Sequence, residues 1–261
     1  MSTMMTNDGV RLDYQIFGTG QPIILVEGYS GNQATWVMQV EPLVNAGLQV
    51  ITYDRRNHGK SDTVDYGMRM ARHGQDLAEL MAQLRLEKPI LMGHSMGAST
   101  IWAYLSLYGD ANVRAIITED QLPKILRDDS WPYGIFNADL TMIWTAATKL
   151  PHTKLTRLKL SETVKHALAD NYQPFDFQYN EPLLLDSLMQ DWRDVLRREQ
   201  VKHLFIAGQD SPLWPSVHVE TVVAMSKNGQ GITIDKAGHI PHIEAPDQFN
   251  DAVLNFVRTI M

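Results

Sequence analysis

The sequence predicts an α/β fold: a mainly parallel sheet covered by helices, carrying a mostly helical insertion. Three observations predict it. Short apolar runs alternate with helical stretches along most of the chain. One of those runs ends in a tight turn, "LMGHSMGAS", that leads directly into a helical stretch. The alternation stops between about residues 122 and 192 and then resumes.

Each element follows from its residues. "PIILVEG" reads as a buried strand closed by Gly28, and "LQVITYD" as a second. Met70, Leu77, Leu80, Met81 and Leu84 recur near helical spacing. "KPILMG" is a short apolar strand, "MGASTIWAYLSLYGD" a helix with small residues at its start, and "VRAIIT" a strand. "KHLFIAG" and "GITIDKAG" are the later strands. "PDQFNDAVLNFVRTI" closes the chain as a helix with Pro246 near its first turn. Residues 1–121 and 193–261 form the core on this reading. Residues 122–192, with Trp131, Trp144 and the helical stretch "LSETVKHALADNY", form a cap or lid insertion. In an open parallel sheet, ligands bind beyond the carboxyl ends of the strands, so an insertion leaving that edge lies over the site.

Composition narrows the function. The chain has 261 residues, 44% hydrophobic and 20% charged, which suits one globular α/β domain. Its net charge of −7 and lack of a dense basic run argue against a nucleic-acid partner. The absence of cysteine excludes disulfides, thiolate metal sites and a cysteine nucleophile. The longest early apolar run is too short to span a bilayer, and the start lacks the apolar core of a signal peptide. A cytoplasmic protein with no membrane association is the expectation.

"GHSMG" fits Gly-x-Ser-x-Gly between a strand and a helix. That context exposes the serine hydroxyl at a helix N-terminus, where free N–H groups favour developing negative charge. Ser95 is therefore the candidate nucleophile, and a helix-capping turn serine is the plainer alternative. A serine hydroxyl needs an adjacent base, and imidazole suits that task near neutral pH. His239 follows the last strand at the same sheet edge, and Gly238 before it permits a tight turn. His242 is its rival. "HIPH" has metal-like spacing, but no carboxylate pattern completes it, so neither a metal nor a cofactor is expected.

Four segments together resemble the α/β-hydrolase superfamily: "PIILVEGYSGNQATW", "YDRRNHGKSD", "GHSMG" and "AGHIPHIEAPDQF". The resemblance implies an α/β-hydrolase fold, and an oxyanion hole built from the N–H groups of Tyr29 and Met96. Glu27 stands where a histidine is usual, and as a carboxylate it needs a partner such as Arg55 or Arg56. Asp54, Arg55, Arg56 and His58 read as structural ties, and His94 as a packed or hydrogen-bonded neighbour of Ser95.

The acid of the triad is less direct. The family's usual position, three residues beyond Gly208, is Ser211 here, with Asp210 one residue short. "AIITEDQLPK" offers Glu119 and Asp120 one strand earlier. It resembles a subgroup with Asp-Gln-x-Pro after that strand and a serine at the later position. That resemblance favours Asp120, with Asp210 and Glu119 as alternatives. Trp36, Trp131, Trp144 and Trp214, with Tyr29, are the candidate substrate-lining residues. An apolar, aromatic lining suits a small acyl, aryl or lactone substrate better than a sugar or phosphate. A serine hydrolase acting on a carboxylic ester or lactone is the leading expectation. A cofactor-free dioxygenase of an N-heteroaromatic compound, or a perhydrolase, would use the same fold. A non-catalytic ligand receptor is the third possibility.

Overall fold

In a computed structural model, which describes residues 2–261, the chain builds one eight-stranded sheet. The elements run β1 (Ser2–Met5), β2 (Arg11–Phe17), β3 (Gln21–Val26), α1 (Val37–Asn45), β4 (Leu48–Tyr53), α2 (Met70–Gln83), β5 (Ile90–His94), α3 (Met96–Tyr108) and β6 (Ala115–Glu119). A long crossover then carries α4 (Ile143–Lys149), α5 (Glu162–Asp170), α6 (Glu181–Leu188) and α7 (Arg193–Arg198). It ends with β7 (Lys202–Gly208), α8 (His218–Met225), β8 (Gly229–Ile234), α9 (Pro241–Glu244) and α10 (Pro246–Arg258). The strand order is β1-β2-β4-β3-β5-β6-β7-β8. The six strands from β4 to β8 in that order pair in parallel, and β1 and β2 pair antiparallel at one edge.

The inner parallel strands explain the unbroken apolar runs, because both of their faces are buried, whereas β8 at the edge is largely exposed. Alternate residues go to opposite faces. Ile24, Val26, Ile51, Leu91 and Ile116 share a core with Leu77 and Leu80 of α2 and with Ile101 and Trp102 of α3. Ile23, Leu25, Val50, Met92 and Ile117 share the other with Leu43 of α1 and with Phe249, Val253 and Phe256 of α10. The crossover joins the first of these cores, since Ile143, Leu183, Leu184 and Leu188 pack into it.

The edge hairpin of β1 and β2 was not anticipated from the polar N-terminus. Its signal is weak: "RLDYQIF" alternates only loosely, and its buried positions, Leu12 and Asp13, are adjacent rather than alternate. Asn7, Asp8 and Gly9 supply the turn, with Gly9 at φ +85.

Candidate active site

Register places the chemistry. Gly93 and His94 of β5 pair with Thr118 and Glu119 of β6, and Thr118 and Glu119 pair with Phe205 and Ile206 of β7. The residues that follow, Ser95 and Asp120, emerge side by side beyond the carboxyl edge of the sheet. Ser95 N–H still donates to Glu119 O (2.9 Å) and Asp120 N–H to Ile206 O (2.7 Å). Both residues then leave the strand geometry, Ser95 at φ 52 and Asp120 at φ 42. A non-glycine residue at positive φ is strained, by about 1–3 kcal/mol. Ser95 stands at the N-terminus of α3 with ψ −123, which turns its hydroxyl out of the helix. Gly97 makes that turn possible, because a Cβ there would collide with Val26 O.

His239 closes the constellation. Its Nε2 lies 2.9 Å from Ser95 Oγ and its Nδ1 2.6 Å from Asp120 Oδ2. Asp120 Oδ2 also accepts from Ser211 Oγ–H (2.6 Å), and Oδ1 accepts from Gly208 N–H (3.0 Å). Asp120 is fully buried and His239 is 3% exposed. A carboxylate holding Nδ1–H fixes the tautomer that leaves Nε2 free to accept the serine proton.

The histidine loop is held from two sides. His94 Nε2–H donates to His239 O (2.9 Å). Burial pushes the His94 imidazole down to about 3, so it is neutral. Glu244 accepts from Gly238 N–H (3.0 Å) and Ile240 N–H (3.1 Å) on either side of His239. The same carboxylate accepts from Arg157 N–H (2.5 Å) and Leu158 N–H (2.9 Å) of the crossover. His239 N–H donates to Leu155 O (2.9 Å). The loop carrying the imidazole is thus fastened to the crossover through one buried carboxylate.

The other candidate acids face elsewhere. Glu119 pairs with His242, whose Nδ1 lies 2.8 Å from Glu119 Oε2. Asp210 is exposed, and its hydrogen bonds run through its backbone to Ala237 and Arg157. Ser211, at the later position, instead donates to the Asp120 carboxylate. His239 and His242 bind different carboxylates. Among the described residues no group of three or more His, Cys, Asp or Glu is placed to hold a metal ion.

Gly28 and Tyr29 pass over the serine: a Cβ on Gly28 would lie 3.2 Å from Ser95 Cβ. This brings Tyr29 to the same cavity as Ser95. Met96, the first residue of α3, has an N–H with no acceptor inside its helix. Beneath that loop Glu27 is fully buried and accepts from Arg55 N–H (2.9 Å) and Nε–H (3.2 Å). Burial drives its carboxyl up to about 7, against the opposing pull of Arg55. Arg55 Nη2–H also donates to Gly28 O (2.8 Å), tying the loop down. His58 Nε2 (3.1 Å) and His73 Nδ1 (3.3 Å) lie against the same guanidinium, and burial keeps both imidazoles neutral. Arg56 pairs with Asp76 and Asp54 accepts from Gln33 N–H and Lys60 N–H, so this group ties the loop after β4 to its neighbours.

Three of the four candidate tryptophans do not line the site. Trp36 is fully buried and stacks on His242 at 4.2 Å. Trp131 is buried below Arg193, with its Nε1–H donated to Lys124 O. Trp144 is 61% exposed on α4. Trp214 alone borders a cavity at Ser95 and meets the His239 ring edge-on at 5.8 Å. Tyr29 and Phe177 add aromatic surface, and much of the remaining lining is aliphatic, including Leu150, Leu155, Leu184 and Ile240. In a sequence such residues are indistinguishable from core. A further cavity of about 330 Å³, bordered by Gln15, Gln33, Asp54 and Asn171, contains neither Ser95 nor His239.

This fold and this serine-centred edge define a class, and comparison with known proteins agrees. The alpha/beta hydrolase family model matches residues 23–252. The chain belongs to that family. It is 30% identical over 266 residues to a Synechocystis sp. protein named as a non-heme chloroperoxidase, covering 95% of each chain. It is 27% identical to 3-oxoadipate enol-lactonase 1 of Acinetobacter baylyi, covering 99% of this chain and 98% of that one. An esterase from Exiguobacterium antarcticum has the same fold, with a TM-score of 0.88 at 20% identity over 98% of this chain and 99% of its own. Among the described residues no helix is long and apolar enough to cross a membrane.

Proposed function

We propose that the protein is a serine hydrolase that cleaves a carboxylic ester or lactone through Ser95, His239 and Asp120. The observation that carries this reading is the continuous chain from Asp120 Oδ2 through His239 to Ser95 Oγ, at 2.6 and 2.9 Å. His239 Nε2 takes the hydroxyl proton as Ser95 Oγ attacks the carbonyl carbon. The carbonyl oxygen becomes an oxyanion held by the Tyr29 and Met96 amides. The imidazolium, stabilised by Asp120, gives its proton to the leaving alcohol as the C–O bond breaks. Water then enters, loses a proton to His239 and attacks the acyl-enzyme. Collapse releases the acid and returns the proton to Ser95. The esterase and enol-lactonase among the similar proteins support this choice of bond.

The haloperoxidase names support one branch at the second half of the cycle. Hydrogen peroxide in place of water would release a peracid from the same acyl-enzyme. The decisive test is Ser95→Ala with a fluorophosphonate label. Hydrolysis of activated esters should fall by about 10⁴-fold or more, and labelling of the intact protein should disappear with the serine. If Ser95→Ala keeps most of its turnover on a substrate while consuming oxygen, a His239–Asp120 dioxygenase replaces this reading. Tight retention of a ligand with no turnover would indicate a receptor.

A further inference from the structure

Two spaces of very different size meet at Ser95. One, of about 240 Å³, is bordered by His94, His239, Leu155, Leu168, Phe177 and Ile240. The other, of about 30 Å³, is bordered by Met96, Ile125, Ile135, Leu184, Leu213 and Trp214. Tyr29, Ser95 and Leu150 border both. His239 faces only the larger space, and Met96 only the smaller.

The chemistry assigns a direction to each. The leaving oxygen must take its proton from His239 Nε2, so the alcohol part must lie on the histidine side, in the larger space. The carbonyl oxygen is fixed between the Tyr29 and Met96 amides. The acyl chain then extends away from His239, into the smaller space. Resting on the serine-hydrolase reading above, we infer that the substrate is an ester of a short acid, acetyl or propionyl, carried on a larger apolar alcohol.

Size sets the limit. A water needs about 10–15 Å³ of such volume, so 30 Å³ admits about two carbon-sized groups beyond the carbonyl. The walls do not yield readily. Ile125, Ile135, Leu184 and Leu188 are each 3% exposed or less and belong to the core shared with the sheet. Gln121, also on this wall, is held by a hydrogen bond from its Nε2 to Ser99 Oγ (2.9 Å). Inserting extra methylenes into such packing forces neighbours off their rotamers. The larger space is lined by Leu150, Pro151, Leu168, Phe177 and Ile243, which suit an aryl or alkyl alcohol.

The test is a chain-length series of p-nitrophenyl esters on the full chain, from acetate and propionate through butyrate to hexanoate. kcat/KM should fall by about 50-fold or more between acetate and hexanoate. Leu184→Ala should raise butyrate relative to acetate by about 10-fold. Leu184→Val, which disturbs the core less, should do so by a smaller factor. Hexanoate turned over as well as acetate by the unaltered protein overturns the inference and leaves the hydrolase reading standing. A short-chain preference that neither Leu184 variant moves also overturns it, since the wall would not then set the limit. No turnover of any ester, with Ser95 unlabelled by fluorophosphonate, overturns both.

Discussion

Two of the protein's histidine–carboxylate pairs stand side by side, His239 with Asp120 and His242 with Glu119. Both put a ring Nδ1 on a buried carboxylate, at 2.6 Å and 2.8 Å. They differ in what the other ring nitrogen meets. His239 Nε2 faces Ser95 Oγ and a cavity. His242 Nε2 is buried without a partner, and its ring is stacked on Trp36. Desolvation holds Glu119 up at about 7 and His242 down at about 3, so the inner imidazole is neutral and burial opposes ionisation of its carboxyl partner. One chemical unit thus opens on a cavity at one position and is a packing element three residues away. The lesson is that access, more than residue type, separates the dyad proposed as catalytic from the structural one.

The comparison can be broken most directly by disabling each carboxylate. Asp120→Asn should lower kcat for ester cleavage by about 10³–10⁴-fold, because an amide favours the wrong tautomer of His239. Glu119→Gln should cost less than about 10-fold in the same assay. Equal losses would mean that the inner pair takes part in the chemistry.

The pairs should also differ in stability. His242→Ala leaves Glu119 buried without its imidazole and opens space beside Trp36. It should destabilise the fold by about 3 kcal/mol in urea titration while leaving most of kcat. His239→Ala should do the reverse, ending turnover at a cost of about 1 kcal/mol.

A finer distinction appears in the pH dependence of stability. Glu119, raised from 4.5 to about 7, favours the folded state fully below pH 4.5, and that contribution is lost as pH rises through 7. His94 and His242, lowered from 6.5 to about 3, act oppositely: their contribution is present above pH 6.5 and lost as pH falls towards 3. Glu119→Gln removes the first of these contributions. Its Tm relative to the unaltered protein should therefore climb between pH 4.5 and 7, by the equivalent of up to about 3 kcal/mol. A flat difference would show that Glu119 is ionised in the folded protein.

Much of this site was legible in the sequence, for identifiable reasons. Ser95 and His239 sit in short motifs whose flanking strands and glycines dictate a turn, so local pattern carries their position. Glu119 and Asp120 were harder, because successive residues at a strand end point to different sides and only the three-dimensional arrangement shows which one meets His239. The similarity of "DQLPK" and of Ser211 to a known subgroup favoured Asp120, and the geometry brings Asp120 to the histidine and Ser211 to the Asp120 carboxylate. Trp36, Trp131 and Trp144 misled because an aromatic residue in a loop is equally at home in packing or on the surface. The aliphatic walls at Leu184 and Leu155 carry no signal of their own. Glu244 was invisible for another reason: its partners are backbone amides, which every sequence contains.

The smallest effect concerns the backbone of Ser95 itself. A residue with a side chain is held there at φ 52, where glycine would rest without strain. Ser95→Gly should raise folding stability by about 1 kcal/mol while ending nucleophilic turnover. An inactive protein that melts later than the active one would mean that neutral drift, left alone, erodes this residue. Its presence would then record continuing selection for turnover, and a thermal melt of one variant could detect that history without any knowledge of the natural substrate.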